Sequence, residues 1–370
     1  MFLRWLLPFL LITPLLAQVD GKLEIDFMSS YYDQDGENSP VNGGVGSEEL
    51  TSASPIIAVR YTLGSWNLSG TFGLDNVTSA SIDAMDDNAP AGFNVSSASR
   101  KDNRGFAQLS AGRAWAGSNW NFNLGFSKEY DYKSINAGLG WSRSFNQNNT
   151  TLSAALHHYM DDIDVYNIHG VETGTDERET TDLSITLSQV LSSRTQGSIE
   201  LFWSDQSGLL SSPFQEVIFN DGSRAAERLP DARTRTGAKL SLNHAWRPNL
   251  IHRNGLRVYD DDFGVQAITI EQELHFKLSS KRETWVYPIF RYHQQDGSDY
   301  FGLPQTFDPG APWYTADRDL SEFDSMRYGL GAQIALNGRR FKNLDVRLTY
   351  YDRDDGLTAF NLSFGLRWSL

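Results

Sequence analysis

Two adjacent histidines, His157 and His158, stand shortly before an acidic run that begins at Asp161. Imidazole and carboxylate groups held together can activate water or a serine hydroxyl, and Ser153 and Ser184 are candidate nucleophiles. Neither serine lies in a Gly-x-Ser-x-Gly sequence, however. Adjacent residues of an extended strand also point to opposite faces, so at most one histidine shares a face with any one acid. We therefore predict no catalytic residue, and a hydrolase ranks last among the functions considered.

Acidic residues are also concentrated in long polar segments, such as Asp33 to Glu48 and Asp161 to Glu179. Clustered carboxylates can hold Ca²⁺ or Mg²⁺, for instance as bridges to lipopolysaccharide, but no spacing here matches a calcium-binding loop. The chain has no cysteine and no glycine-rich phosphate loop, which argues against thiolate metal sites and nucleotide cofactors. We interpret the acids as solvated loop residues and predict neither a metal ion nor a cofactor.

A third set of charged residues alternates with apolar residues, which places them on the polar face of extended strands. On the inner wall of a barrel, charges of both signs can create a transverse field that orients polar solutes. The predicted pore-lining residues are Glu24, Asp26, Arg60, Asp75, Glu129, Asp131, Glu200, Arg233, Arg235, Arg291, Arg327, Arg347 and Arg367. The alternative is that these charges pair across neighbouring strands and brace the wall, with loops folded inward as a plug.

The end of the chain indicates which kind of sheet carries this pattern. Thr358 to Leu370 alternates strictly between apolar residues and small or polar ones. An aromatic-rich apolar face and a polar face that includes an arginine are typical of a transmembrane β-barrel strand. The predicted C-terminal signal for the barrel-assembly machinery consists of Phe364, Leu366, Trp368 and Leu370.

Similar alternating segments recur along the chain, separated by tight turns such as Gly64-Ser65 and by long polar connections. The long connections are predicted at Asp33–Glu48, Val77–Asn103, Asp161–Glu179, Asp205–Asp231 and Gly297–Ser321. This pattern predicts an all-β fold, a transmembrane antiparallel up-and-down β-barrel of about sixteen strands with short periplasmic turns and long extracellular loops. About fourteen or eighteen strands remain alternatives, because two segments do not show clearly which alternate positions face outward. We call this choice between odd and even positions the parity of a strand, and it is ambiguous in Gly105 to Trp115 and in Val286 to Gln294.

The first residues predict the destination of the protein. Met1 to Ala17 carries one positive charge, at Arg4, and an apolar core too short for a membrane-spanning helix. These features are typical of a secretory signal peptide cleaved near Ala17, which leaves residues 18–370 as a single barrel domain. A net charge of −14 argues against a nucleic acid partner. We expect the outer membrane of a Gram-negative bacterium.

Six segments distributed over most of the chain also carry a family resemblance. They are DNVTSASIDAM (Asp75–Met85), SKEYDYKS (Ser127–Ser134), GLLSSPFQEV (Gly208–Val217), ERLPDARTR (Glu227–Arg235), GLRVYDDDFGV (Gly255–Val265) and YPIFRYHQQDGSDYF (Tyr287–Phe301). Together they resemble a family of Gram-negative outer-membrane barrels known as domain of unknown function three-five-seven-zero. The resemblance implies a barrel without an assigned activity, and it suggests an accessory role beside a periplasmic redox protein. The chain departs from the family at Phe263, where tryptophan is common, and at Leu370, where a terminal aromatic residue is usual.

From these features we predict a channel, or porin-like pore, for small polar solutes, surrounded by outer-membrane lipid and lipopolysaccharide. The alternative is a closed or plugged barrel that acts as a scaffold or as an accessory to a periplasmic partner. In that case the segment from Gly208 to Arg235 would fill the lumen or bind the partner. The sequence does not indicate which periplasmic protein that partner would be.

Overall fold

The computed structural model describes residues 21–80, 102–167, 171–279, 282–336, 338 and 340–369. The predicted signal peptide, Met1 to Ala17, lies outside these described residues, as does most of the predicted connection from Val77 to Asn103. No helix in the described part of the chain is long and apolar enough to cross a membrane.

The described residues form a closed antiparallel barrel of sixteen strands, which confirms the predicted fold class. The strands in chain order are β1 (Gly21–Asp35), β2 (Glu49–Leu63), β3 (Trp66–Ala80), β4 (Asp102–Trp115), β5 (Ser118–Lys128), β6 (Tyr132–Phe145), β7 (Thr150–Tyr166), β8 (Glu172–Ser192), β9 (Thr195–Gly208), β10 (Glu216–Ile218), β11 (Arg224–Ala226), β12 (Ala232–Arg247), β13 (Leu250–Asp261), β14 (Gln266–Lys277), β15 (Thr284–Gln295), β16 (Phe323–Ala335), β17 (Phe341–Arg353) and β18 (Thr358–Ser369). All belong to the barrel except β10 and β11, which form a separate two-stranded hairpin. Each barrel strand pairs with its neighbour along the chain, and β9 pairs with β12 across the hairpin.

The first and last strands close the barrel by pairing with each other. Their register sets Asp26 opposite Arg367 and Ile25 opposite Trp368. Because residues directly opposite each other share a face, this register joins polar face to polar face and apolar face to apolar face. A shift by one residue would turn the charged residues towards lipid, so the alternation of the sequence specifies the register.

Large apolar side chains cover the outer surface of the barrel. The exposed ones include Leu68, Phe72, Phe122, Leu124, Ile185, Leu201, Leu240, Ile270, Leu330, Leu348, Leu362 and Phe364. An apolar surface of this extent suits contact with hydrocarbon and would promote aggregation of a water-soluble protein. The opposite face of every barrel strand is therefore the inner face.

The long connections among the described residues all lie at one end of the barrel. Residues 64–65, 116–117, 193–194 and 248–249 make tight turns, whereas residues 36–48, 209–231 and 296–322 make long connections at the opposite end. This asymmetry agrees with the predicted arrangement of short periplasmic turns and long external loops. We call the end with long connections the external end.

The prediction of a long loop from Asp161 to Glu179 is wrong. β7 continues to Tyr166 and β8 begins at Glu172, so residues 167–171 connect them. Within this tall hairpin Asp161 lies opposite Arg178, whose Nε donates to its carboxylate at 3.2 Å. Pairing of opposite charges across the two strands keeps this polar segment extended, a possibility that its loop-like composition concealed.

The two segments of ambiguous parity are barrel strands β4 and β15. In each, an aromatic residue on the inner face covers a glycine of the neighbouring strand. A Cβ added to Gly73 would lie 2.3 Å from the ring of Phe106, and one added to Gly331 would lie 2.2 Å from the ring of Tyr287. These inward aromatic residues fill the space that glycine leaves, and for that reason aromatic residues occur on both faces of β15.

Candidate pore and its external cap

The inner face of the barrel divides into two halves of different charge. We call the inner face of β12 to β18 the C-terminal wall and that of β1 to β9 the N-terminal wall. The basic residues of the C-terminal wall are Arg233, Arg235, Lys239, Arg253, Arg257, Lys277, Arg291, Arg327, Arg347, Arg353 and Arg367, and its acidic residues are Asp261, Glu271, Glu273 and Asp345. The N-terminal wall carries the bases Lys22, Arg60, Arg104 and Arg178, and the acids Glu24, Asp26, Asp75, Asp161, Asp176, Asp182 and Glu200. Positive charge therefore predominates on one side of the lumen and negative charge on the other.

A cavity of about 480 Å³ lies against the C-terminal wall. Its charged lining residues are Lys239, Arg253, Arg291, Arg327, Arg347, Glu271 and Glu273. Ser241, Asn243, Thr349, Asn361 and Ser363 add neutral hydrogen-bonding groups from the same face. Five cations thus surround a space that holds two carboxylates.

One carboxylate of the cavity is shared by two cations. The Oε2 atom of Glu271 lies 3.4 Å from Nζ of Lys239, and its Oε1 atom lies 3.7 Å from Nε of Arg291. Both distances exceed those of tight charge-assisted hydrogen bonds, and nearly half of the Glu271 side-chain surface is exposed. The pairing of these three side chains is therefore loose and open to water.

The second carboxylate, that of Glu273, is shared in the same way. It lies 3.7 Å from Nη1 of Arg253 and 3.7 Å from Nη1 of Arg347, and it also contacts Nε2 of His275 at 2.7 Å. The Arg347 guanidinium lies over the ring of Tyr287, 5.3 Å from its centroid. Stacking on an aromatic ring positions a guanidinium without neutralising it.

Arg327 completes the cavity without an acidic partner. It lies directly opposite Arg291 in the pairing of β15 with β16, and its guanidinium is 5.7 Å from the ring centroid of Tyr351. Among the described residues, no ion pair joins Arg327 to a carboxylate. Like charges directly opposite each other on neighbouring strands repel, so the two arginines destabilise each other. Because Arg327 has no carboxylate partner among the described residues, the cavity has an excess of positive charge.

The predicted site residues at the closing seam behave differently, because they pair with one another. Asp26 accepts from Nε of Arg367 at 2.8 Å and forms a second ion pair with Arg60. Glu24 lies 3.6 Å from Nε of Arg60. We call these four side chains the seam cluster, in which each acid contacts at least one base across β18, β1 and β2. Lys22 lies at its edge, 2.6 Å from Oε1 of Glu24.

Other predicted residues lie towards the external end. Arg233 pairs with the buried carboxylate of Asp261, and Arg235 donates to the side-chain oxygen of Gln206. These two rim cations of the C-terminal wall are thus engaged with nearby acceptors. Glu200, in contrast, lies near the middle of its strand, opposite the cavity residue Lys239 in the pairing of β9 with β12.

Three predicted acids belong to the N-terminal side. Asp75 lies opposite Arg104 in the pairing of β3 with β4, and Glu129 lies 3.5 Å from Nε of that arginine. Glu129 and Asp131 stand in the external turn between β5 and β6 rather than on a strand, because β5 ends at Lys128. The prediction placed these two acids on the pore wall because it continued the alternation of β5 through the turn.

The two histidines lie on opposite faces of β7. His157 lies on the inner face opposite Asp182, whereas His158 has the opposite parity and bonds through Nδ1 to Oγ1 of Thr181 at 3.0 Å. In the described part of the chain no hydrogen bond joins either histidine to Ser153 or Ser184.

The predicted assembly signal lies on the last strand. Phe364, Leu366 and Trp368 share the outer face of β18, where they continue the apolar surface of β1 and β17. Leu370 lies outside the described residues.

Three external connections form a folded cap over the mouth, and one of them makes up most of the segment from Gly208 to Arg235 that the alternative prediction assigned to the lumen or to a partner. We define the cap as residues 36–48, 209–231 and 296–322. Its apolar core consists of Val217, Phe219, Tyr314 and Ala316, with Ala225, Phe307 and Ala311 packed around it. Backbone hydrogen bonds join two of the connections. The amide of Arg228 donates to the carbonyl of Tyr314 at 3.0 Å, and the amide of Tyr314 donates to the carbonyl of Arg228 at 2.7 Å.

The cap reaches across the lumen. The connection after β9 meets the connection after β1, although these two strands stand eight positions apart in a ring of sixteen. Gly43 makes the closest approach, because a Cβ at this position would lie 2.6 Å from Cγ1 of Ile218, and its φ of 76° also favours glycine. Arg318 of the third connection donates to Asn38 at 3.1 Å. Contacts between opposite sides of the ring show that the cap bridges the mouth.

The cap is fastened to the C-terminal wall. Gln295 of β15 donates through Nε2 to the carbonyls of Asp319 and Ser321, both at 2.8 Å, and Arg353 of β17 pairs with Asp319 at 2.7 Å. Ser298 donates to the carbonyl of Phe263 at 2.9 Å. The attachment points are thus two inner-face residues, Gln295 and Arg353, and the turn between β13 and β14, all on the side of the barrel that carries the cavity.

A buried acid lies inside the cap without a cation beside it. Glu227 accepts from the amide of Ser212 at 2.7 Å and from the hydroxyl of Thr315. Burial raises the pKa of Glu227 to about 7. Burial and the nearby Asp319 carboxylate also raise the pKa of Asp317. Burial in the packed cap thus makes the charged form of each carboxyl less favourable than it is in water.

Some important residues were absent from the predicted pore lining. Arg253 and Arg257 of β13 both face the lumen. The sequence did contain a signal for these residues. Leu256 is apolar and so is expected on the outer face, which places Arg253 and Arg257, at the other set of alternate positions, on the inner face.

Comparisons with known proteins agree with this architecture. The sequence matches the family model described as "Protein of unknown function (DUF3570)" over residues 15–361. No curated protein matches the sequence. Among solved structures, a bacterial polysaccharide outer membrane secretin has a TM-score of 0.53 at 10% identity, with 94% of this chain and 98% of that chain covered.

Two porins are also similar at low identity. A BenF-like porin from Pseudomonas fluorescens Pf-5 has a TM-score of 0.48 at 10% identity, covering 95% of this chain and 99% of its own. Pseudomonas aeruginosa OpdK, in a structure with vanillate, has a TM-score of 0.45 at 8% identity, with 95% and 98% covered. The match over nearly the whole sequence shows that this chain, a closed sixteen-stranded barrel, belongs to the DUF3570 family.

Proposed function

We propose that the protein is an outer-membrane channel for small polar solutes. The observation that carries the proposal is the exposure of charged side chains inside a closed barrel. Arg253, Arg347 and Glu271 face the lumen, yet their side chains remain 52%, 43% and 47% exposed. Charges that point inward and still reach solvent indicate a lumen wide enough for water, as expected for a barrel of this size.

The separation of charge between the two walls supports a selective channel over a plain aqueous hole. A positive wall facing a negative wall produces a field across the lumen, which orients dipolar solutes and disfavours apolar ones. The outer membrane as location is part of the same proposal, and it is supported by the apolar outer surface of the barrel.

Electrical recording from a planar bilayer tests this function. The folded protein, purified in detergent, should insert and give stable open current steps, and the reversal potential in a salt gradient should reveal an ion preference. Retained β-sheet circular dichroism would verify folding. A folded, inserted barrel that passes no current, with or without its cap, would contradict the channel.

The cap favours a second candidate, a barrel closed at its mouth that opens or binds a partner through residues 209–231. Replacing residues 213–228 with a short glycine-serine linker separates the two cases. Removal of a closure should raise the single-channel conductance severalfold, because the connections from opposite sides of the ring no longer meet. Unchanged conductance would assign this segment to partner binding instead.

A further inference from the structure

We propose that the cavity on the C-terminal wall is a binding site for a small organic carboxylate, which deepens the channel function and rests on it. The site is formed by Arg327 and Arg291, which face each other across β15 and β16, together with Arg347 on β17. It would hold an anionic solute on one side of the lumen during its passage.

The charge balance of the cavity is the first argument. Glu271 and Glu273 are each divided between two cations at 3.4 to 3.7 Å, and the fifth cation, Arg327, has no acidic partner among the described residues. Positive charge in excess attracts anions from solution into the cavity. A carboxylate placed between Arg291 and Arg327 would convert their repulsion into two charge-assisted hydrogen-bonded pairs.

The form of the cations is the second argument. Guanidinium groups present a planar fork of donors that matches the two oxygens of a carboxylate. The guanidinium of Arg327 lies near the ring of Tyr351 and that of Arg347 near Tyr287, at 5.7 and 5.3 Å from the centroids. Their stacking limits the loss of side-chain freedom on binding, which favours affinity.

The neutral lining indicates the rest of the ligand. Thr349, Asn361 and Ser363 offer hydroxyl and amide groups beside the arginines, and Ile289 adds one apolar side chain. A volume of about 480 Å³ lies within the range of small-molecule sites. These features suit an organic acid of a few carbons that carries hydroxyl groups or a second carboxylate.

The seam cluster explains why binding is assigned to this part of the lumen. Arg60 and Arg367 are also exposed to the lumen, but Asp26 lies between them and forms ion pairs with both. An anion there would have to displace a resident carboxylate. The cavity cations, in contrast, share too few acids to be saturated.

The test compares matched variants. Succinate is titrated by calorimetry into the folded protein in detergent, with inorganic phosphate and uncharged glycerol as parallel probes. Arg327→Gln should weaken succinate binding about tenfold, the loss expected from one charge-assisted hydrogen bond, and Arg327→Lys should give an intermediate loss. Arg104→Gln removes the same charge from the N-terminal wall and should leave succinate binding unchanged.

The outcomes separate the site from the channel. Tighter binding of phosphate than of succinate would assign the cavity to an inorganic oxyanion and overturn the carboxylate. Equal effects of Arg327→Gln and Arg104→Gln, or no succinate binding by folded protein, would overturn the site even if the channel conducts. Succinate binding sensitive to Arg327 in a barrel that passes no current would support the site and remove the channel function.

Discussion

The seam cluster and the cavity use the same residue types in opposite ways. At the seam, Asp26 lies between Arg60 and Arg367 and is 9% exposed, so acids and bases are matched at short range. In the cavity, two carboxylates are shared loosely by four of five cations. Matched charges brace the barrel where its ends join, whereas unmatched charges remain available to a solute.

The largest effect is expected from Asp26→Ala. The substitution leaves Arg60 and Arg367 side by side at the seam without their shared carboxylate. We expect a loss of about 3 kcal/mol of stability, because Arg367 loses its carboxylate and Arg60 keeps only the longer contact with Glu24. The temperature at which the folded barrel loses its fast electrophoretic mobility in detergent measures this loss. If this temperature does not change, the seam cluster does not stabilise the barrel.

A buried carboxyl in the cap, that of Glu227, differs from both regions because no described cation pairs with it. Because burial raises the pKa of Glu227 to about 7, its neutral form stabilises the packed cap. This contribution is complete below pH of about 4.5 and is lost as pH rises through about 7, so the cap should be about 2 kcal/mol more stable at pH 5 than at pH 8.

Hydrogen exchange of the amides of residues 212–228 at the two pH values, corrected for intrinsic rates, measures the stability of the cap. Glu227→Gln should abolish the difference at this site, because the amide carries no charge at either pH. Persistence of the full pH effect in that variant would assign it to another group, with Asp317 the next candidate.

A smaller effect on stability is expected from Arg347→Gln in the cavity. Its carboxylate contacts are 3.6 and 3.7 Å long and its side chain is well exposed, so the stability should change by about 1 kcal/mol or less. The anion preference measured from the reversal potential should fall clearly. A loss of stability as large as that of Asp26→Ala would show that the cavity is also a brace.

The smallest effect is expected from Asp345→Asn. This acid lies 3.6 Å from Arg347 and is 37% exposed, which makes the pair one of the weakest on the wall. Stability should change by less than about 0.5 kcal/mol, while the anion preference should rise slightly. Reversal potentials measured for both variants should show that the anion preference rises in Asp345→Asn and falls in Arg347→Gln.

The barrel itself was predictable because alternation reports directly on the two faces of a strand. Residues such as Phe364 and Arg367 on β18 carry that information locally, and the strand number followed from counting hairpins. Pairing of Asp161 with Arg178 was harder to predict, because polar strands beyond the membrane have the composition of loops.

Parity could not predict which of the inner charged residues form close ion pairs and which do not. Parity assigns Arg60 and Arg327 to the same face, but the nearest acid of each depends on the register of neighbouring strands. The cap was hidden for a related reason. Contacts such as Gly43 with Ile218 join connections from opposite sides of the ring, and no local pattern reports them.

The bridge across the mouth also imposes an order of events in time. Gly43 and Ile218 belong to connections that stand opposite each other only after Asp26 has met Arg367 and the ring is complete. Contacts between residues so distant in sequence form late in folding, since the chain must lose much of its freedom before they are made. We therefore expect the cap to be the last part of the molecule to become ordered, on a barrel that is already inserted and open.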